Sequence, residues 1–262
     1  MEKGDFKPME ARLNKEIIKL NSRITTIVSG GMDSITLLYY ALSKTTPNKV
    51  TAISFNYGQK HSKELKSAEA ICKDLGVNFR LVDLHAVSNL LKSSLTGDEN
   101  IPHGHYAEDN MKSTVVPNRN AIMLSMAYGS AISDNSQYLL FGAHAGDHFI
   151  YPDCRPQFVK AVNKAFRVGN EGFGDVTIKA PFDLITKSEI VTLGLKLKVP
   201  YENTWTCYEG KERPCLECGT CCERILSFSD NKIQDPLLTN KEWKIGLKFA
   251  LKAKQDFEDK KE

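Results

Sequence analysis

No stretch of the 262-residue chain is apolar over the ~20 residues that a helical membrane span requires, so no membrane partner is expected. Net charge of one sign is scarce as well: 35 Lys and Arg against 32 Asp and Glu leave only +3. That balance tolerates an anionic ligand but supplies no clustered basic face, and direct contact with nucleic acid is not expected. The opening residues Met1-Glu2-Lys3-Gly4-Asp5 lack the apolar core of a secretory signal, which points to a cytoplasmic protein. No segment repeats at a fixed period. A disulfide pattern is missing too, because seven cysteines cannot all pair and five of them crowd between Cys207 and Cys222. Such crowding fits a metal site in a reducing compartment.

What is present begins at Ile24-Thr25-Thr26-Ile27-Val28, a β-branched run that ends in Ser29-Gly30-Gly31-Met32-Asp33-Ser34 and passes at once into an apolar helical pattern. Strand, tight loop and helix put backbone N–H groups and the positive end of a macrodipole at one point, which suits an anion. No Gly-Lys-Ser or Gly-Lys-Thr follows, so the loop is not a Walker A motif. The pattern S-G-G-x-D-S resembles instead the PP-loop of the ATP pyrophosphatases. Further strands are expected at Val50–Phe55, Asn78–Asp83, Tyr138–Gly142 and Val176–Ile178. Helices are expected from Met32 to about Ser43, and over Lys60–Leu75, Ala121–Ile132, Gln157–Val168 and Thr186–Leu197. The alternation predicts an α/β fold, a Rossmann-like parallel sheet with helices on both faces and its ligand at the C-terminal strand ends.

This order divides into an N-terminal extension (1–22), the α/β domain (23–200), a cysteine-bearing segment (201–230) and a charged helical tail (231–262). The extension carries a helical pattern through Met9, Leu13, Ile17 and Ile18. Lys241 to Lys260 reads as a helix with a solvated face. Ser88 to Val116 breaks the rhythm as a long polar loop with His103, His105 and Tyr106, either an active-site cover or a surface insertion. At Val116-Pro117-Asn118-Arg119-Asn120 a helix starts, capped by Asn118 or Asn120. Arg119 opposes the dipole there unless an anion shares the site; a surface arginine is the alternative. Asp147, Tyr151, Asp153, Cys154 and Arg155 crowd just past a strand end. Asp147 can bind a metal or a polar substrate edge, Arg155 a carboxylate, and Asp153 can instead begin the next helix. Thr186 and Glu189 form a capping-box pattern, and Lys187 between them faces either a phosphate or solvent.

Cys207, Cys215, Cys218 and Cys221 follow the spacing C-x7-C-x2-C-x2-C. Four thiolates without a nearby histidine suit a closed structural zinc site, with an iron–sulfur cluster as rival. Cys222 can replace Cys221 as a ligand.

Taken together, Ser29–Ser34, Tyr57-Gly58-Gln59, Val116–Asn120, Tyr151-Pro152-Asp153-Cys154-Arg155 and Thr204-Trp205-Thr206-Cys207 with its cysteines resemble the 7-cyano-7-deazaguanine synthase family, in order over about residues 24–228. The resemblance implies a carbon–nitrogen ligase of queuosine-precursor synthesis that turns 7-carboxy-7-deazaguanine and ammonia into the nitrile through adenylated intermediates, using ATP, Mg²⁺ and Zn²⁺, as a homodimer. It implies catalytic roles for Ser29, Asp33, Ser34 and Lys187. Val28, Ser29, Gly30, Gly31, Met32, Asp33, Ser34, Asn56, Gln59 and Arg119 would contact the nucleotide. Tyr57, Asn118, Asp147, Tyr151, Asp153 and Arg155 would hold the deazaguanine, and Cys207, Cys215, Cys218 and Cys221 the metal. A relative that stops at the amide or passes the activated base to another acceptor fits the same motifs. A tRNA-modifying or sulfur-transfer PP-loop enzyme would need an added domain or a cysteine pair near the loop, and the sequence has neither. A zinc-ribbon binding module, the remaining alternative, sits poorly with the complete α/β frame and weak charge.

Overall fold

Five short runs rich in β-branched and apolar residues pair side by side: β1 (Ile24–Ile27), β2 (Val50–Asn56), β3 (Asn78–Asp83), β4 (Tyr138–Leu140) and β5 (Thr177–Lys179). In the computed structural model, which describes residues 6–13, 18–59, 63–88, 93–96 and 100–260, they form one sheet in the order β3-β2-β1-β4-β5. Every pairing is parallel; Ile24 stands opposite both Val50 and Tyr138. Chain order reverses between β1 and β4, so the switch point of this Rossmann-like sheet lies at the end of β1, where the glycine loop begins.

The connecting helices are α1 (Phe6–Leu13), α2 (Met32–Leu42), α3 (Lys63–Asp74), the single turn α4 (His85–Ser88), α5 (Arg119–Ser133), α6 (Pro156–Gly169), α7 (Lys187–Lys196), α8 (Gly219–Asp230) and α9 (Asn240–Asp259). Among the described residues no helix is long and apolar enough to cross a membrane. Strand period decides which helix each side chain meets. Ile53 and Phe55 of β2 join Leu124, Ala127 and Tyr128 of α5 on one face, while Val50 and Ala52 join Ile35, Leu38, Ala68 and Ile71 of α2 and α3 on the other. Both faces are thus covered, as a parallel sheet requires.

Several boundaries differ from those expected. β4 stops at Leu140, yet the Phe141 N–H still bonds the Lys179 carbonyl at 3.0 Å before the chain leaves the sheet at Gly142. β5 sits one residue later than expected, and residues 60–62 of the third helical stretch lie outside the described residues. Met9 and Leu13 of α1 and Ile18 pack with Leu37, Phe182 and Ile190, so the extension is docked on the domain; Ile17 lies outside the described residues. The long loop is packed as well. Tyr106, Met111 and Val116 are buried in the α5 face of the core, and His103 pairs as an isolated antiparallel bridge with Cys218; residues 89–92 and 97–99 are not described.

The C-terminal stretch is a helix whose lysines are exposed, as expected, and its opposite face is packed. Gly246, Ala250 and Ala253 form a buried strip of small residues, close enough that a Cβ on Gly246 would stand 2.6 Å from Ile225 Cδ1. Trp243, Leu247 and Phe249 extend this contact over Leu216, Cys222 and Ile225. Charge dominates the sequence of α9, but its small residues recur at helical spacing and let α8 approach.

Candidate active site

The loop after β1 folds around one hydroxyl. Ser34 Oγ accepts the N–H groups of Ser29 (3.1 Å) and Gly30 (3.2 Å) and donates to the Gly31 carbonyl (3.1 Å). Gly30 takes φ +97°, and a Cβ there would lie 1.8 Å from the Glu64 carbonyl oxygen, so only glycine fits between the loop and α3. Gly31 caps α2 without any side-chain capping bond, which leaves the positive helix end to a bound anion. The Trp205 N–H donates to the Gly30 carbonyl at 3.0 Å and ties the loop to the 201–206 segment.

Opposite the loop, the capping box forms as expected: Thr186 Oγ1 accepts the Glu189 N–H (3.3 Å) and Glu189 accepts the Thr186 N–H (2.9 Å). This fixes the first turn of α7 and drives Lys187 inward rather than to solvent. Its Nζ stands 2.8 Å from Asp33 Oδ2 and 2.8 Å from Glu223 Oε2. Burial opposes the ammonium, but Asp33, Glu223 and Asp147 outweigh it and hold Lys187 above the ordinary lysine range. Burial raises Glu223, against the pull of Lys187. Asp147 is held low despite burial, by His144 and Lys187 and by hydrogen bonds from the His144 N–H (3.0 Å) and the Tyr106 hydroxyl (2.9 Å).

The far end of the cleft is aromatic. Tyr57, Tyr151 and Tyr208 stand around Arg119, whose guanidinium lies 5.6 Å over the Tyr57 ring and donates to its hydroxyl at 3.3 Å. Burial pushes the Tyr57, Tyr106 and Tyr208 phenols up. Tyr151 shares a 2.6 Å hydrogen bond with Thr114 of the long loop. Neither asparagine caps α5 with its side chain. Asn118 holds the N-cap position at φ +59° without a capping bond, and the Asn120 N–H donates to Asp153 Oδ2 at 3.3 Å. Asp153 therefore serves α5 from outside, and α6 starts after Arg155 instead.

The two ends form one cleft of about 230 Å³. Val28, Ser29, Gly31, Asp33, Ser34, Tyr57, Arg119, Asp147, Tyr151 and Lys187 all line it, and so do Trp205, Thr206 and Thr220. The structure does not bring every expected residue there. The Met32 side chain is fully buried in the core, and Gly30 backs onto α3. Asn56 and Gln59 shape the turn after β2 by accepting the Gly58 (3.3 Å) and Tyr57 (2.9 Å) N–H groups. Asn118 is exposed, and Arg155 turns outward to donate to the His148 carbonyl at 2.9 Å. Glu223 was not readable as a site residue; the only local sign is that Glu223 and Arg224 are the charged side chains of α8 before Asp230.

The Sγ atoms of Cys207, Cys215, Cys218 and Cys221 lie within 4.8 Å of one another. Amide donors point at the sulfurs, from Cys215 to Cys207 and from Cys218 to Cys215, each at 3.3 Å. Four converging sulfurs in a closed shell fit tetrahedral zinc. Cys222 is not part of this group. Its thiol donates to the Glu217 carbonyl at 3.4 Å inside the α8–α9 contact, and burial pushes it up to about 12. His103 joins the segment to the long loop, with Nε2 at 2.9 Å from Glu209 and Nδ1 at 3.2 Å from Glu217.

Known proteins place this geometry. A family described as queuosine biosynthesis protein QueC matches residues 23–232. The 7-cyano-7-deazaguanine synthase of a Marinomonas species is 48% identical over 83% of this chain and 98% of its own. The enzyme of that name from Archaeoglobus fulgidus is 48% identical over 85% of this chain and 92% of its own. Among solved structures, NMN synthetase from Francisella tularensis aligns with a TM-score of 0.48 and 13% identity over 96% of this chain and 95% of that one. The family match covers the sheet, the glycine loop and the cysteine group alike: the chain belongs to the QueC family of queuosine biosynthesis proteins.

Proposed function

We propose that the chain is an ATP-dependent carbon–nitrogen ligase that converts 7-carboxy-7-deazaguanine and ammonia to 7-cyano-7-deazaguanine. The observation that carries this reading is the single cleft with a phosphate cradle and a buried lysine at one end and an arginine among tyrosines at the other. Such a cleft can bring a triphosphate and a planar, carboxylated base together. The names of the full-length relatives supply the identity of the base.

A carboxylate is a poor electrophile until its oxygen becomes a leaving group. In this mechanism the carboxylate attacks the α-phosphorus of ATP and pyrophosphate departs. Ser29, Gly31 and Ser34 meet the phosphates, with the α2 N-terminus and the Lys187 ammonium stabilising the negative charge that develops. Ammonia then adds to the acyl carbon, AMP leaves and the amide forms with loss of a proton. The amide oxygen then attacks the α-phosphorus of a second ATP, pyrophosphate departs again, and loss of AMP with both protons of the amide nitrogen gives the nitrile.

Asp147, held ionised, accepts N–H groups of the base edge, Tyr57 and Tyr151 pack on its ring, and Arg119 pairs with the carboxylate or a phosphate. Asn118, Asp153 and Arg155 shape the helix ends around that pocket, and Asn56 and Gln59 hold the turn that carries Tyr57. The Asp33 Oδ1 atom is buried without a hydrogen-bond partner among the described residues, and an unpaired carboxylate oxygen beside a phosphate cradle fits Mg²⁺. That ion supplies charge neutralisation on the phosphates. Zinc on Cys207, Cys215, Cys218 and Cys221 holds the 207–221 segment, which carries Tyr208 and Thr220 to the cleft. The same reading makes the enzyme a cytoplasmic homodimer.

Pyrophosphate exchange tests the first step. Wild-type chain should exchange labelled pyrophosphate into ATP only with 7-carboxy-7-deazaguanine present. Asp33→Ala or Ser34→Ala should abolish exchange with unchanged circular dichroism. Full exchange in both variants would remove the glycine loop from the mechanism.

A further inference from the structure

A lysine ammonium rides on a flexible four-carbon stem and needs outside restraint to present its charge at one place. Lys187 has two such restraints on separate helices. Asp33 belongs to the first turn of α2, beside the glycine loop, lines the cleft and keeps its Oδ1 atom without a hydrogen-bond partner among the described residues. Glu223 belongs to α8 and does not line the cleft. Its Oε2 lies 2.8 Å from Lys187 Nζ, and both side chains are largely buried.

The backbone under Glu223 is fixed on every side. Cys221, two residues earlier, is one of the four converging thiols. Arg224, the next residue, makes a two-pronged ion pair with buried Asp235 at 2.6 and 2.8 Å, and donates to Thr204 Oγ1 at 2.8 Å and the Tyr201 carbonyl at 2.9 Å. At the other end of α8, Asn231 donates to the Ser188 carbonyl of α7 at 2.8 Å, beside Lys187 itself. Two helices locked together thus carry the carboxylate and the ammonium. Neither partner can shift without breaking a buried charged contact.

We propose that Glu223 is a positioning residue for adenylation: it holds the Lys187 ammonium at the mouth of the phosphate cradle while Asp33 engages the incoming nucleotide. Lys187 touches the phosphates; Glu223 acts through it. The role rests on the ligase reading above, because only a charge developing on phosphate gives the fixed ammonium work to do. A lysine held by Asp33 alone would follow that carboxylate whenever the loop rearranged, and the cost of misplacing a catalytic group by about 1 Å is on the order of 100-fold.

The test is a double-mutant cycle on the full chain, read by pyrophosphate exchange into ATP driven by 7-carboxy-7-deazaguanine. Glu223→Gln should lower the exchange kcat by about 10- to 100-fold and leave the KM for the acid within about twofold. Glu223→Asp, which keeps the charge on a shorter stem, should recover part of the loss. In a Lys187→Ala background the same Glu223→Gln change should alter the residual rate by less than about twofold. If Glu223→Gln alone does not fold, Glu223→Asp takes its place and is compared in the same way with and without Lys187. Full kcat in folded Glu223→Gln, or equal losses with and without Lys187, overturns the proposal. A wild-type chain that shows no exchange would contradict the ligase reading instead.

Discussion

Tyr106 donates its phenolic proton to Asp147 Oδ1 across 2.9 Å. This bond joins the long loop to the floor of the cleft. Tyr106→Phe removes a donor from a buried carboxylate and should cost about 1–2 kcal/mol of stability. In steady-state assays it should raise the KM for the deazaguanine acid more than that for ATP. An equal rise in both would place the bond outside substrate recognition.

Two glycines with positive φ should answer alanine differently. Gly76 follows α3 at φ +66° with nothing within 4 Å of a new Cβ, so Gly76→Ala meets only backbone strain, about 1 kcal/mol in urea unfolding. Gly30, at φ +97°, would drive its Cβ to 1.8 Å from the Glu64 carbonyl. Gly30→Ala should therefore lose pyrophosphate exchange altogether and unfold at clearly lower urea than Gly76→Ala. Matching urea midpoints would mean the loop can leave α3 freely.

The cysteines should separate by metal content. Cys218→Ser should lose the metal, whereas Cys222→Ala, in the α8–α9 contact, should retain it and lose only packing. Elemental analysis should give one zinc per wild-type chain. Iron in its place would overturn the zinc assignment, and metal loss in Cys222→Ala would put that residue back among the ligands.

Charge at the C-terminal helix should show in acid. Hydrogen bonding from Arg213 pulls Glu242 down to about 2, and the carboxylate also accepts the Thr239 N–H at 2.8 Å as part of a capping box. A folded pKa below the unfolded one stabilises above the unfolded value of about 4.5 and is lost as pH falls toward about 2. Half of the Arg213 side chain is exposed, so solvent screening reduces the effect to about 1 kcal/mol at pH 7. Glu242→Gln should be less stable than wild type by that amount at pH 7, and the gap should narrow as pH falls from about 4.5 and close only near pH 2. A gap that does not change with pH would show that capping geometry alone matters.

Local chemistry was legible in the sequence. The span Asn78–Asp83 for β3, the capping box of Thr186 and Glu189, and the grouping of Cys207, Cys215, Cys218 and Cys221 all follow from short-range period or spacing. What escaped depends on partners far along the chain. Asp153 serves the start of α5 from 33 residues away, and Lys187 finds Glu223 from 36 residues away. Periodicity carries no record of either meeting. Arg155 illustrates the reverse error, since a nearby carbonyl claims a side chain whose chemistry alone suggests a carboxylate partner. The packed face of α9 was hidden because glycine and alanine contribute little apolar signal among so many charges.

The most direct measurement is the mass of the product. Purified chain with 7-carboxy-7-deazaguanine, ATP, Mg²⁺ and ammonium should yield 7-cyano-7-deazaguanine together with AMP and pyrophosphate, and no nitrile when ammonium is withheld. An amide that accumulates as the final product would contradict the nitrile-forming step, and the absence of any ATP-dependent product would contradict the account as a whole.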